Sequence, residues 1–203
     1  MPGVIIIIRE AYSREAEDAA SLILLSAPFF TDILRGETQG KRVFANLFQR
    51  CGNLFSFEHT YFAEKEGIVV GMALGYEWPQ RQKERLRTGL LLLCQSGFHI
   101  FHHLQFWHNL SAAIGTFHPQ GYYLSNLAVY PQYQGQGIGK QLLFFIEDKA
   151  RQKNLKCVEL DVSAENHRAI DFYHHLGYRV TEESRFSYQG SAIALLRMMK
   201  EMR

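Results

Sequence analysis

Apolar and polar positions along the chain change their period several times, and each change marks a predicted element. Val4 to Arg9 is a short β-branched run that predicts a buried first strand. Ser13 caps the next segment, Glu15 and Glu17 suit a positive helix N-terminus, and Ala16, Ala19, Ala20, Ile23 and Leu24 recur at helical spacing until Pro28. A weaker helical pattern on Val43, Leu47 and Phe48 runs from Arg42 to Gln49. His59 to Glu64 and Ile68 to Tyr76 flank the charged turn Lys65-Glu66-Gly67, a hairpin signature. After position 120 the pattern sharpens. Tyr122 to Val129 predicts a strand, Gly137 to Lys153 a helix, Lys156 to Val162 a strand, and His167 to Leu176 a helix, followed by strands at Tyr178 to Glu182 and Ala192 to Met199. Strand, helix and strand in succession imply a parallel pair joined by a right-handed crossover, so the class is α/β around a mixed sheet.

The stretch from about 79 to 120 breaks this rhythm. It opens on a basic run (Arg81, Lys83, Arg85, Arg87), passes through Leu90 to Leu93 and ends among histidines and aromatics. About 40 residues bury little surface alone, so it reads as a helical insertion within a single domain spanning 1–203. The basic run reads as a solvated helix face. His99, His102 and His103 have the spacing of one helix face, yet no carboxylate lies nearby in sequence, so no metal site is assigned. An aromatic-rich packing surface or a wall of an acceptor pocket is the plainer reading.

Composition narrows the function. In 203 residues, 22 Lys and Arg nearly balance 20 Asp and Glu, a formal charge of +2 without a dense basic stripe, which argues against a nucleic-acid partner. Three cysteines, far apart and never spaced C-x-x-C, suit a reducing, cytoplasmic setting over a disulfide framework or zinc ribbon. The longest N-terminal apolar run, Val4 to Ile8, is too short for a signal sequence or a membrane span, so no membrane association is expected.

Candidate chemistry concentrates in Val129-Tyr130-Pro131-Gln132-Tyr133-Gln134-Gly135-Gln136-Gly137-Ile138-Gly139-Lys140. A strand ends, and three alternate glycines lead into an amphipathic helix. Glycines let the backbone approach a ligand closely, and unpaired N–H groups at the helix start suit a phosphate. The dinucleotide spelling G-x-G-x-x-G fails, because Lys140 stands where its third glycine would fall. The nucleoside-triphosphate spelling fails too, because Gln134 and Gln141 occupy its first and last positions. The spacing that fits is Q-x-x-G-x-G (Gln134, Gly137, Gly139) after L-A-V-x-P (Leu127 to Pro131). A second segment, Asn166 to Tyr178, reads N-x-x-A-x-x-F-Y-x-x-x-G-Y and begins 27 residues after Gly139. Together these motifs resemble the two cofactor segments of the GNAT superfamily of N-acetyltransferases. The likeness takes in Ile8-Arg9, the hairpin ending at Val69-Val70-Gly71 and everything from Tyr122 onward, but not 79–120.

The resemblance implies a mixed, mostly antiparallel sheet whose central parallel pair splays around acetyl-coenzyme A, with helices on both faces. It implies that Gln134, Gly135, Gln136, Gly137, Ile138, Gly139 and Lys140 hold the pyrophosphate. Leu127, Ala128 and Val129 would line the pantetheine arm, one of their N–H groups polarising the thioester. Asn166, Ala169, Phe172 and Tyr173 would complete the cofactor site, with Tyr173 as general acid. Family members that carry a Glu or His on the strand before the loop use it as a base; here those positions are Tyr123 and Ser125, which leaves them acceptor-lining candidates. Glu77 and His118 are the nearest titratable alternatives, and a water relay competes with both. The expected reaction is transfer of acetyl from acetyl-CoA to a primary amine of a small molecule or peptide, by direct attack in a ternary complex. A non-catalytic coenzyme A sensor or scaffold is the alternative. A homodimer contact through the last strand or the insertion is left open.

Overall fold

The computed structural model describes residues 5–96, 108–109, 112, 115, 117–188 and 191–202. Its strands are β1 (Ile6–Glu10), β2 (Thr60–Lys65), β3 (Ile68–Glu77), β4 (Gly121–Val129), β5 (Cys157–Ser163), β6 (Arg179–Tyr188) and β7 (Ser191–Glu201). They form one seven-stranded sheet in the order β1-β2-β3-β4-β5-β7-β6. Every pairing is antiparallel except β4 with β5. Among the described residues, the helices that surround it include α1 (Ala16–Ser26), α2 (Phe29–Ile33), α3 (Glu37–Phe48), α4 (Trp78–Ser96), α5 (Ile138–Gln152) and α6 (His167–His175). The mixed sheet with helices on both faces is the arrangement the resemblance implied.

Alternation along the strands divides the apolar residues into two cores. Met72, Leu74 and Tyr76 of β3 face α1–α3, where they meet Ile23, Val43 and Phe44. Ala73 and its neighbours on the other face, Leu124, Val158, Leu160 and Val162, pack under Leu142, Ile146 and Ala150 of α5. Below, the first is called the α1 face and the second the α5 face.

Two features of β4 shape everything that follows. Its parallel pairing with β5 covers only Gly121↔Cys157, Tyr122↔Val158 and Tyr123↔Glu159, so from Leu124 onward the two strands part. Its register with β3 slips between Leu74 and Gly75, leaving Ser125 as an extra residue opposite a paired neighbour, a β-bulge. Such an insertion reverses the facing of everything beyond it. Tyr123 and Asn126, three apart, therefore share the α1 face. Gly75 permits this: a Cβ there would lie 2.5 Å from the Tyr123 carbonyl oxygen.

Elsewhere the structure extends the expected elements. Helix α3 starts at Glu37, well before the expected Arg42, and carries Gly40 inside it. A Cβ at Gly40 would come within 3.1 Å of Leu24 Cδ2, so this glycine serves close helix packing at the cost of helix propensity, which is why the pattern looked weak. The last two strands run to Tyr188 and from Ser191, a longer hairpin than predicted, with Phe186, Ile193 and Leu195 leaning on the α1-face core. The insertion begins as α4, directly after β3, with Pro79 in its first turn where no N–H is needed. Most of its remainder, including His99, His102 and His103, lies outside the described residues. The basic run is not wholly a solvated face. Lys83, Arg85 and Arg87 are exposed, but Arg81 donates to the Gly115 carbonyl at 2.8 Å and lies over the rings of Trp78 and Phe117. Among the described residues no helix is long and apolar enough to cross a membrane.

Candidate active site

The glycine loop closes the cleft between β4 and β5 at one end. Gly135 and Gly137 both have φ of +76°, a conformation that costs a side-chain-bearing residue energy, and a Cβ at either would meet nothing within 4 Å. Two positions that only glycine adopts freely thus border empty space. Gly137 is also the N-cap of α5 and offers no side chain to cap it. The first helical bond runs from Gln141 N–H to Gly137 O at 3.1 Å, so the N–H groups of Ile138, Gly139 and Lys140 have no partner within the helix. Gly139 differs: a Cβ there would touch Phe172 Cζ at 3.6 Å and Val129 Cγ2 at 3.8 Å, so it brings α5 close to α6 and β4.

The cleft wall is the half-paired length of β4. The Tyr130 N–H turns to β3 and donates to Val70 O at 3.0 Å. Successive residues alternate, so Val129 and Leu127 turn their N–H and C=O toward the cleft. The Val129 carbonyl indeed receives the side-chain amide of Gln134 at 3.0 Å. On the other side Asn166 caps α6, its Oδ1 accepting from Ala169 N–H at 3.1 Å. Phe172 and Tyr173 follow on the helix, their rings 5.2 Å apart. Tyr173 is buried, and burial pushes its phenol well above the ordinary value. The loop, the β4 edge and the start of α6 therefore come together around one cleft.

On the α1 face, at the point where the strands part, lies a polar cluster that sequence reasoning missed. The Tyr123 hydroxyl donates to Asp161 Oδ2 at 2.9 Å. Arg197 of β7 donates to both oxygens of Asp161, at 2.8 and 2.9 Å, and stands 3.6 Å from Glu159 Oε2. Glu159 Oε1 accepts from the His118 N–H at 3.0 Å and the Cys157 thiol at 3.3 Å. Phe117 stacks on the Tyr123 ring at 5.1 Å. Two buried carboxylates facing one guanidinium leave a net negative charge. Burial and the Asp161 charge push the Tyr123 phenol well up, while burial and the Glu159 charge raise the Cys157 thiol to about 12. Burial alone would loosen the proton on Arg197; its bonds to Asp161 and the facing charges more than reverse this. The readable signal was the alternation Cys157-Val-Glu-Leu-Asp-Val, which sets Glu159 and Asp161 on one face of a strand between apolar neighbours.

The expected base candidates fall elsewhere. Glu77 pairs across the sheet with Tyr122, at the opposite end of β4 from the glycine loop, and its carboxylate is bonded by Lys153 after α5. His118 is exposed, and its Nδ1 accepts from Gln120 N–H. Ser125 is the half-buried bulge residue. Among the described residues no group of three or more His, Cys, Asp or Glu is placed to hold a metal ion.

Comparison with known proteins agrees with this geometry. The chain is 40% identical over 55 residues to the ribosomal protein bS18-alanine N-acetyltransferase of Escherichia coli K12, a match covering 27% of this chain and 37% of that protein. It is 32% identical over 82 residues to a thialysine N-epsilon-acetyltransferase of Bos taurus, covering 38% of this chain and 48% of the other. The matches thus span less than half the length of either relative. The fold of an N-acetyltransferase from Staphylococcus aureus Mu50 superposes with a TM-score of 0.72 at 16% identity, over 96% of this chain and all of that one. The sequence model of the acetyltransferase (GNAT) family matches residues 24–178, from the last turn of α1 to the end of the second motif. With most of its length matched in this way, the chain belongs to the GNAT acetyltransferase family.

Proposed function

We propose that the protein is an acetyl-CoA-dependent N-acetyltransferase that acts on a primary amine by direct attack within a ternary complex. The observation that carries this reading is the open space beside Gly135 and Gly137, at the head of α5 and next to a β4 edge with no strand partner. Acetyl-CoA, the donor used by the family, fits these features: an anion for the loop, an extended amide-bearing arm for the strand edge.

The residues divide the work as follows. N–H groups from Gly135 to Lys140 bind the pyrophosphate, assisted by the positive end of the α5 dipole. The Val129 and Leu127 edge groups pair with the pantetheine amides once the Gln134 side chain gives way. The Leu127 N–H is aimed at the cleft and polarises the thioester carbonyl, a contribution of ~3–4 kcal/mol where such donors have been removed elsewhere. When bound, the cofactor supplies an activated acetyl group. Tyr173, held protonated by burial, gives its proton to the departing sulfur. A primary amine is mostly protonated at neutral pH and needs a base. Tyr123 takes the amine proton on its oxygen as it passes its own to Asp161, which Arg197 keeps in place. The relay thus ends on a carboxylate inside the cleft, in place of Glu77 or His118.

A peptide α-amine or a small lysine-like amine is the acceptor class, in keeping with the two relatives. The cluster's negative charge suits a cationic acceptor.

Calorimetry with acetyl-CoA, beside NADH and ATP, tests the cofactor. At ~100 times Kd, acetyl-CoA adds about 2.7 kcal/mol, several degrees in Tm. Gly137→Val places a β-branched residue at φ +76° and fills the loop's open space, so it abolishes acetyl-CoA binding while the protein still folds. Tight binding by the folded variant would overturn the loop assignment. Binding by the wild-type without thiol release for any amine would instead make the protein a coenzyme A sensor.

A further inference from the structure

We propose that Asn126 reads the second N–H of the acceptor amine and so restricts the enzyme to primary amines. The inference rests on the acetyltransferase reading and deepens it.

Asn126 is only 4% exposed, one residue past the Ser125 bulge. Its amide Nδ2 donates to Ser26 Oγ at 2.7 Å, fixing the side chain to the end of α1. Ser26 Oγ in turn donates to Ile23 O at 2.8 Å, so the α1 end is already satisfied. The carbonyl Oδ1 of Asn126 is sealed from solvent and has no hydrogen-bond partner among the described residues. An orphaned buried acceptor costs roughly 1–3 kcal/mol, so a fold selected for stability alone would place an apolar side chain here. The group is instead held rigidly in place with its acceptor unused.

Its position says what it waits for. The donor, held by the glycine loop and helices α5 and α6, takes the α5 face and the loop end of the cleft, so in this proposal the acceptor comes from the α1 side. The bulge turns Tyr123 and Asn126, both on β4, to that same face, one before and one after the point where β4 leaves β5. A neutral primary amine has one lone pair and two N–H groups. With the lone pair on the thioester carbon and one N–H on the Tyr123 oxygen, the second N–H is left for the Asn126 carbonyl. A secondary amine lacks it. An unpaired partner in such a site is what separates substrates strongly.

The test compares Asn126→Leu, close in size, with the wild-type on three readouts. The probes are a peptide beginning with alanine and the same peptide beginning with N-methylalanine. The expected result is a fall of about tenfold in kcat/KM for the alanyl peptide, one lost hydrogen bond. The N-methyl peptide changes little, so the preference between the two collapses. Acetyl-CoA affinity is unchanged, and Tm holds or rises because an orphaned polar atom has been removed. A lower Tm with the preference intact would make Asn126 a structural residue and overturn the proposal. Should the wild-type bind acetyl-CoA yet turn over neither peptide, the acetyltransferase reading falls separately. The melting comparison still decides Asn126 then: a loss of stability overturns its role, and a gain supports a group kept for binding.

Discussion

The Tyr173 phenol has no hydrogen-bond partner among the described residues, and burial alone raises its pKa. The Tyr123 phenol is equally buried but already donates to Asp161. A free hydroxyl keeps its proton for a leaving group, whereas one committed to a carboxylate is set to pass a proton on. Tyr173→Phe removes the proposed acid while breaking no hydrogen bond, so kcat is expected to fall by about 100-fold or more while Tm stays nearly constant. Stopped-time thiol release and a melting curve on the same sample check both halves. At this scale the sequence was legible wherever local chemistry sufficed: the glycines, Asn166 as a cap and Tyr173 on its helix all read correctly as placements. The Asp161 cluster was not legible, because its members come from β4, β5 and β7 and meet only through sheet register and a bulge.

Between residues and the whole molecule, α4 shows how an element that carries neither of the two motifs is tied in. Its Glu84 bonds the buried His59 at 2.7 Å, and its Thr88 hydroxyl donates to Glu84 O while accepting the Leu54 N–H at 2.9 Å. Thr88→Val keeps the shape but strands the Leu54 N–H, a loss of about 1–3 kcal/mol measurable by urea unfolding. If stability is unchanged, water reaches that N–H and α4 is held by its apolar contacts alone. The type of each long periodic element could be read from sequence; the extents could not where packing overrode propensity. Gly40 inside α3 and the length of the β6–β7 hairpin are both set by neighbours that the local sequence does not reveal.

Across the whole molecule, Tyr76, Tyr122, Tyr123, Tyr173 and Tyr178 are buried, and burial is the first cause of the raised pKa of each. Cys157 adds a thiol raised to about 12. These groups ionise freely only when unfolded, so above a pH of ~9–10 the unfolded chain binds fewer protons than the folded one. Stability is therefore full below that pH and is lost as pH rises toward the folded values, with up to ~1.4 kcal/mol per pH unit from each group. Tm should drop steeply between about pH 9.5 and 11, a trend that Tyr122→Phe softens. A flat profile across that range would mean the phenols are reached by water.

A sheet ordinarily has its unpaired margins at its two rims, where charge or short length discourages other chains from adding to them. Here a third margin lies indoors, between β4 and β5, walled by helices and by the neighbouring hairpin. Its groups without a strand partner, those of Leu127 and Val129, face into the molecule and not outward to other chains. The acetyl-CoA proposed for the cleft brings a slender, amide-bearing arm that can pair with them. On that reading the sheet is completed by a ligand, where an outer rim would be completed by another protein's strand.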